Sequence, residues 1–177
     1  MRADPRAPGL ELTQVIVVGV DGSAGSAAAL RWGLAEARLR GAALNVVHAY
    51  QLPQLSMGDV AVAGPGGVGM AAVAPEDVEG LRAASEAAGQ RIIEQTLENA
   101  NGDATGVAIE RTVIEGAAAP VLIDAGRGAA LLVLGSRGRG GFMGLLLGSV
   151  SQQCAQHPPC PVVILPPVQE EKSASGE

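Results

Sequence analysis

The stretch Val15-Ile16-Val17-Val18-Gly19-Val20 is an unbroken apolar run that stops at Asp21-Gly22-Ser23. A strand with one wet face alternates apolar and polar residues, whereas an unbroken run belongs to a strand covered on both faces. That requirement limits the fold to a sheet with helices on either side. The rest of the chain follows the same scheme. Ser23 or Ser26 can cap a helix carrying Ala27, Leu30, Leu34 and Ala37 at helical spacing, and Gly41 stops it. Leu44 to Tyr50 reads as a second strand, Pro75 to Asn99 as a long helix with acidic residues in its first turn, and Gly106 to Val113 as a third strand. A short helix over Ala117–Ala125, a strand over Ala130–Gly135, a helix over Leu145–Gln156 and a strand over Pro161–Leu165 complete the series. Strand and helix alternate throughout, and parallel strands joined by right-handed helical crossovers satisfy that order. The expectation is one α/β domain over residues 14–166, with a single open parallel sheet and helices on both faces. Residues 1–13 and 167–177 read as flexible ends, and 51–74, rich in Gly, Ala and Pro, as a mobile insertion.

Composition narrows the function classes. The net charge of −6 gives no long-range attraction to nucleic acid or to an anionic membrane, so any phosphate contact is local. Lys172 is the only lysine, which excludes a Walker A loop and a buried catalytic lysine in the folded part. The first fourteen residues, MRADPRAPGLELTQ, lack the apolar centre of a secretory signal, and Val60–Pro75 is too short and too interrupted to span a bilayer. Cys154 and Cys160 have no histidine cluster beside them and read as reduced, packed thiols. A soluble cytoplasmic chain is expected, with neither nucleic acid nor membrane as partner.

In parallel sheets ligands bind beyond the carboxyl ends of the strands, where the strand order reverses. Two loops therefore stand out: Asp21-Gly22-Ser23 after the first strand, and Gly135 to Ser149 after the fourth. Glycines let a backbone approach a ligand closely, and successive N–H groups in such a loop form an anion nest. Ser149 can donate its hydroxyl and its N–H to phosphate if a helix begins there, and Arg137 and Arg139 supply the charge that lysine does not. Asp21 suits sugar hydroxyls better than phosphates, which it repels; it is equally suited to capping the first helix. Arg137 and Arg139 also fit a solvent-facing loop. His48 and His157 read as structural histidines rather than bases. The literal G-x-G-x-x-G at Gly64–Gly69 follows no convincing strand, so a dinucleotide fingerprint there is set aside, as is an RNA-binding role for the single Arg137–Gly141 repeat.

Gly135, Gly138, Gly148 and Ser149 match the G-2x-G-9x-G-S/T signature, and together with Val18–Ser23, Val46–Ala49 and Cys160–Ile164 they give a chain that resembles the nucleotide-binding branch of the universal stress protein family. The resemblance spans about Thr13 to Pro166. It implies a five-stranded sheet of order 3-2-1-4-5, the Rossmann-like arrangement of adenine nucleotide alpha hydrolases. It also implies an ATP site, with Mg2+ brought in by the nucleotide. Asp21 would bind ribose beside Gly19 and Val20, Ala49 and Leu134 would line the adenine pocket, and Gly135 and Gly138 would bring the loop to ribose and phosphates. Gly148, Ser149 and Val150 would hold the phosphates. Homodimerisation through Pro161–Leu165 is implied as well. The function expected is a nucleotide-dependent stress-response module without catalytic residues. A slow ATPase or phosphoryl-transfer enzyme and a dimeric interaction protein are the alternatives.

Overall fold

The computed structural model of the chain describes residues 14–52, 61–64, 67–70, 75–102, 104–140 and 146–167. In chain order its elements are β1 (Val15–Gly19), α1 (Ala24–Arg40), β2 (Ala43–Tyr50), β3 (Ala61–Gly64), β4 (Gly67–Met70), α2 (Pro75–Ala100), β5 (Ile109–Glu115), α3 (Ala118–Ala125), β6 (Leu131–Gly135), α4 (Ser149–Gln156) and β7 (Val162–Leu165). Five strands form one sheet in the order β5-β2-β1-β6-β7, every neighbouring pair parallel. Numbered among themselves, these strands run 3-2-1-4-5, as the resemblance implies.

The period-two geometry of a strand sorts the core into two halves. Ile16 and Val18 of β1, with Leu44, Val46, Leu131 and Val133, meet Leu30 and Leu34 of α1 and Ile93 of α2. Val17, Val47, Leu132 and Leu134 point the other way, onto Val121 and Leu122 of α3 and Cys154 of α4. The unbroken apolar run of β1 serves both halves, which is why it shows no alternation. Cys154 is fully buried and Cys160 partly so, both are free, and burial pushes both thiols up, which suits the packing role read from the sequence.

Three boundaries differ from expectation. β5 begins at Ile109, because Gly106 has φ +78° and Val107 N–H donates to the Ala104 carbonyl, so a turn occupies the residues assigned to the start of the strand. α4 begins at Ser149 instead of Leu145, for a reason found in the site below. Inside 51–74, β3 and β4 pair antiparallel with Gly64 opposite Gly67, so the first glycine of the Gly64–Gly69 motif ends one strand and the last two lie in the strand paired with it, not at the start of a helix. Strands this short, made of Gly, Ala, Val and one Met, carry no contrast of apolar and polar residues from which a period can be read. The rest of that segment and the ends 1–13 and 168–177 lie outside the described residues. No helix among the described residues is long and apolar enough to cross a membrane.

Leu132 is fully buried in β6, between β1 and β7. Leu132→Ala is expected to lower the unfolding free energy by about 2–5 kcal/mol in urea titrations. Asp124→Ala, which removes an exposed ion pair to Arg127, should change it by less than about 1 kcal/mol.

Candidate functional site

β1 and β6 lie side by side, but α1 leaves β1 towards β2 on one face while α4 leaves β6 towards β7 on the other. The loops that leave their carboxyl ends therefore diverge, and a cleft of about 680 Å³ opens between them. This is the switch point at which open α/β sheets bind ligands.

The first wall is the turn after β1. Val20 N–H donates to the Val47 carbonyl at 2.9 Å, and the chain then turns through Gly22, whose φ of +81° favours glycine. Asp21 Oδ1 accepts from the Ser23 N–H at 3.0 Å and from the Ser23 hydroxyl at 2.6 Å. Ser23 Oγ in turn accepts the Ser26 N–H at 3.2 Å and is the N-cap of α1. Ser23, not Asp21, therefore caps the helix, and Asp21 holds the cap in place. Its other oxygen, Oδ2, accepts the Arg139 N–H at 2.8 Å from the far side of the cleft. Burial works to raise the Asp21 pKa, but the hydrogen bonds from Ser23 and the Arg139 amide outweigh it and hold the carboxyl below its ordinary value. Asp21 is ionised at neutral pH.

The second wall is the loop after β6. Gly135 crosses the first turn of α1 so closely that a Cβ would stand 2.8 Å from the Gly25 carbonyl carbon, and one on Gly25 would stand 2.8 Å from the Arg137 oxygen. Two backbones pass where neither residue has room for a side chain. The Ser136 N–H extends the β6–β7 pairing to the Leu165 carbonyl at 2.7 Å. Its own carbonyl accepts both the Gly148 N–H at 2.7 Å and the Ser151 hydroxyl at 2.8 Å. The chain thus leaves Ser136 and returns to the same peptide twelve residues on, at Gly148, which ends the loop there and starts α4 at Ser149. Leu145–Leu147 continue a helical apolar pattern in sequence, but Leu146 is exposed and Leu147 lines the cleft.

At the centre of the loop, a Cβ on Gly138 would collide with Asp21 Oδ2. Gly148 is different: a Cβ there would meet nothing nearer than the Ser136 oxygen at 3.5 Å, an ordinary contact. As N-cap it has no side chain to accept from the helix it precedes. The N–H groups at the start of α4 have no earlier helical carbonyl either, so the positive end of the helix opens onto the cleft. The Arg139 guanidinium lies beside Gly22, and Arg137 Nε is buried without a hydrogen-bond partner.

Every site residue named from sequence lines this cleft: Gly19, Val20, Asp21, Ala49, Leu134, Gly135, Arg137, Gly138, Arg139, Gly148, Ser149 and Val150. Sequence reasoning missed Val47 and Leu122 in the apolar floor, His48, Tyr50 and Ile92 at the side, and Ser151. Ser151 follows Ser149 by two residues and was within reach of a motif reading. Ile92 and Leu122 come from helices distant in sequence and leave no local signal.

The sheet order and the helices on its two faces define an adenine nucleotide alpha hydrolase-like fold. The universal stress protein family model matches residues 13–166, and the chain belongs to that family. A universal stress protein of Mycolicibacterium smegmatis is 35% identical over 150 residues, and one of Mycobacterium tuberculosis is 34% identical over 153. Each match covers 85% of this chain but 47% and 46% of the relative, so the chain spans about half the length of the curated relatives it matches. Among solved structures, the universal stress protein UspA of Lactobacillus plantarum superposes with a TM-score of 0.62 at 21% identity, covering 86% of this chain and 97% of its own. A universal stress protein solved in complex with cAMP gives 0.52 at 24% identity, covering 86% and 95%.

The lowered pKa of Asp21 has a stability consequence. A carboxyl whose folded pKa lies below its unfolded one stabilises the fold above the ordinary carboxylate range, and loses that contribution as pH falls through the folded value. Asp21→Asn should therefore be less stable than wild type near neutral pH, and the gap should close in acid. Urea unfolding of both proteins across that range checks it; a gap independent of pH would contradict the assignment.

Proposed function

We propose that the chain binds ATP in the cleft between β1 and β6 and acts as a nucleotide-dependent regulatory module of the stress response. The observation that carries this reading is the convergence, around one apolar cleft, of the uncapped start of α4 on one side and the ionised Asp21 on the other. The two ends differ in charge preference, as the two ends of a nucleotide do. The helix start and the backbone at Gly138 and Gly148 suit phosphates, and Arg137 brings a buried Nε that has no protein partner. Asp21 holds three donors, so a carboxylate with about four acceptor positions retains one for a ribose hydroxyl. Ala49, Leu122 and Leu134 offer the faces against which a base packs. The volume falls within the usual range for small-molecule sites. The cAMP complex of a protein of the same fold supports an adenine nucleotide.

Mg2+ in this reading arrives on the phosphates. Among the described residues no three His, Cys, Asp or Glu side chains gather to hold a metal, and Asp21 already accepts three hydrogen bonds. The proposed compartment is the cytoplasm, where the two unpaired thiols remain reduced. Assembly is proposed to be homodimeric, through the edge of the sheet. Among the described residues β7 pairs with β6 alone, and its four residues are apolar and partly exposed. Ile164→Lys should yield monomers by light scattering where wild type gives dimers.

Calorimetric titration with MgATP tests the binding reading directly. Wild type should bind, and Ser149→Ala should weaken binding by about tenfold through loss of a hydrogen bond to a charged group. Gly138→Asp should abolish it, since a side chain there displaces Asp21 and adds a second negative charge. No heat from wild type at millimolar nucleotide would overturn the reading. Phosphate release at background levels, with and without Mg2+, separates a binding module from an ATPase.

A further inference from the structure

One polar residue of the cleft to which the nucleotide reading gives no role is His48. It lies on β2 facing α1 and α2, is 9% exposed, and lines the cleft beside Val20. Its Nδ1 stands 2.8 Å from the Val20 carbonyl oxygen, and because a carbonyl only accepts, Nδ1 carries the proton. The register of β1 with β2 ends at Gly19 opposite Val47, followed by the Val20 N–H to the Val47 carbonyl at 2.9 Å. One residue beyond the paired strand, β2 thus holds Val20 by both polar groups, the N–H through its backbone and the C=O through the imidazole.

A second observation comes from the opposite side of the ring. α2 crosses His48 at Gly89, where a Cβ would stand 2.9 Å from His48 Cδ2 and 2.6 Å from Val113 Cγ1. Glycine inside a helix weakens it; Gly80 of the same helix has open space around it, whereas at Gly89 the ring and Val113 leave no room for a Cβ. The imidazole is held between the strand and that gap.

We propose that His48 is a positioning residue, which fixes the Val20–Asp21 peptide through the Val20 carbonyl and so aims the Asp21 carboxylate into the cleft. The peptide is planar, so holding the carbonyl of Val20 also sets the N–H of Asp21 and the direction in which the chain leaves it. Asp21 has to reach both Ser23 and the Arg139 N–H, and a turned peptide would take its carboxylate away from one or both. His48 needs to exchange no proton for this, and it touches no phosphate.

The inference rests on the nucleotide reading only for its affinity arm, and the experiment separates the two. In the first arm, the Asp21 carboxyl is titrated by carbon NMR in wild type, His48→Leu, His48→Asn and Gly89→Ala. Asparagine keeps a donor nitrogen on Cγ, where the imidazole Nδ1 stands, and leucine has none. Gly89→Ala retains the ring and pushes on it. The Asp21 titration should stay low in wild type and His48→Asn, and move up towards the ordinary carboxylate range in His48→Leu and Gly89→Ala. If His48→Leu does not fold, Gly89→Ala decides. An Asp21 titration unchanged in the folded donor-less or crowded variant would overturn the proposal. In the second arm, His48→Leu should weaken ATP and adenosine by the same factor, about tenfold, whereas Ser149→Ala should weaken ATP alone. A loss in His48→Leu confined to ATP would also overturn it. Failure of wild type to bind either ligand would end the nucleotide reading and leave the titration to decide the role of His48.

Discussion

The Asp21 carboxylate joins the two loops that leave the paired strands β1 and β6. One oxygen holds Ser23 and through it the cap of α1; the other holds the Arg139 amide, 118 residues away in sequence. The sheet places the ends of β1 and β6 side by side, but the crossovers leave on opposite faces and draw the loops apart. A charged acceptor between them ties the two loops together through the Arg139 N–H. The hydrogen bonds outweigh the penalty of partial burial, so the charge is retained at neutral pH and the tie persists.

The glycine-rich loop divides by what each residue is needed for. Gly135 and Gly138 are required by the protein itself, the first for the crossing with Gly25 and the second for the approach of Asp21. Gly140 meets nothing within 4 Å, so no contact of the protein itself calls for a glycine there. Gly148 meets only ordinary contacts, and its lack of a side chain leaves the start of α4 open. A change at Gly138 therefore disturbs the loop and any ligand together, whereas a change at Gly148 or Ser149 acts on the mouth of the helix.

One backbone carbonyl decides where that mouth stands. Ser136 receives the Gly148 N–H and the Ser151 hydroxyl, so the loop closes on itself and its last residues are placed next to its first. The signature spacing of nine residues between Gly138 and Gly148 makes up most of the chain that leaves and returns to this point. Spacing in the sequence thus has a mechanical meaning that does not depend on which ligand is bound.

Much of this fold is legible in the linear chain, because its causes are local or periodic. The run Val15–Val20 demands cover on both faces, Gly41 ends α1 where it follows the apolar period, and the glycines with Ser149 mark the loop that lines the cleft. The start of α4 is not legible, since Leu145–Leu147 keep the helical pattern and only the pairing of Gly148 with Ser136 ends the loop. Ile92, Leu122 and His48 reach the cleft from separate elements, and no spacing announces them. The role of Asp21 stood between cap and ligand contact until the fold brought Arg139 to it and gave the cap to Ser23. Periodicity and turn chemistry act over a few residues, and by themselves they determined the strands and helices of the five-stranded sheet, though not β3 and β4, and where the cleft-lining loops fall. The site itself depends on contacts between residues far apart in the chain, and only packing in three dimensions decided which of them meet.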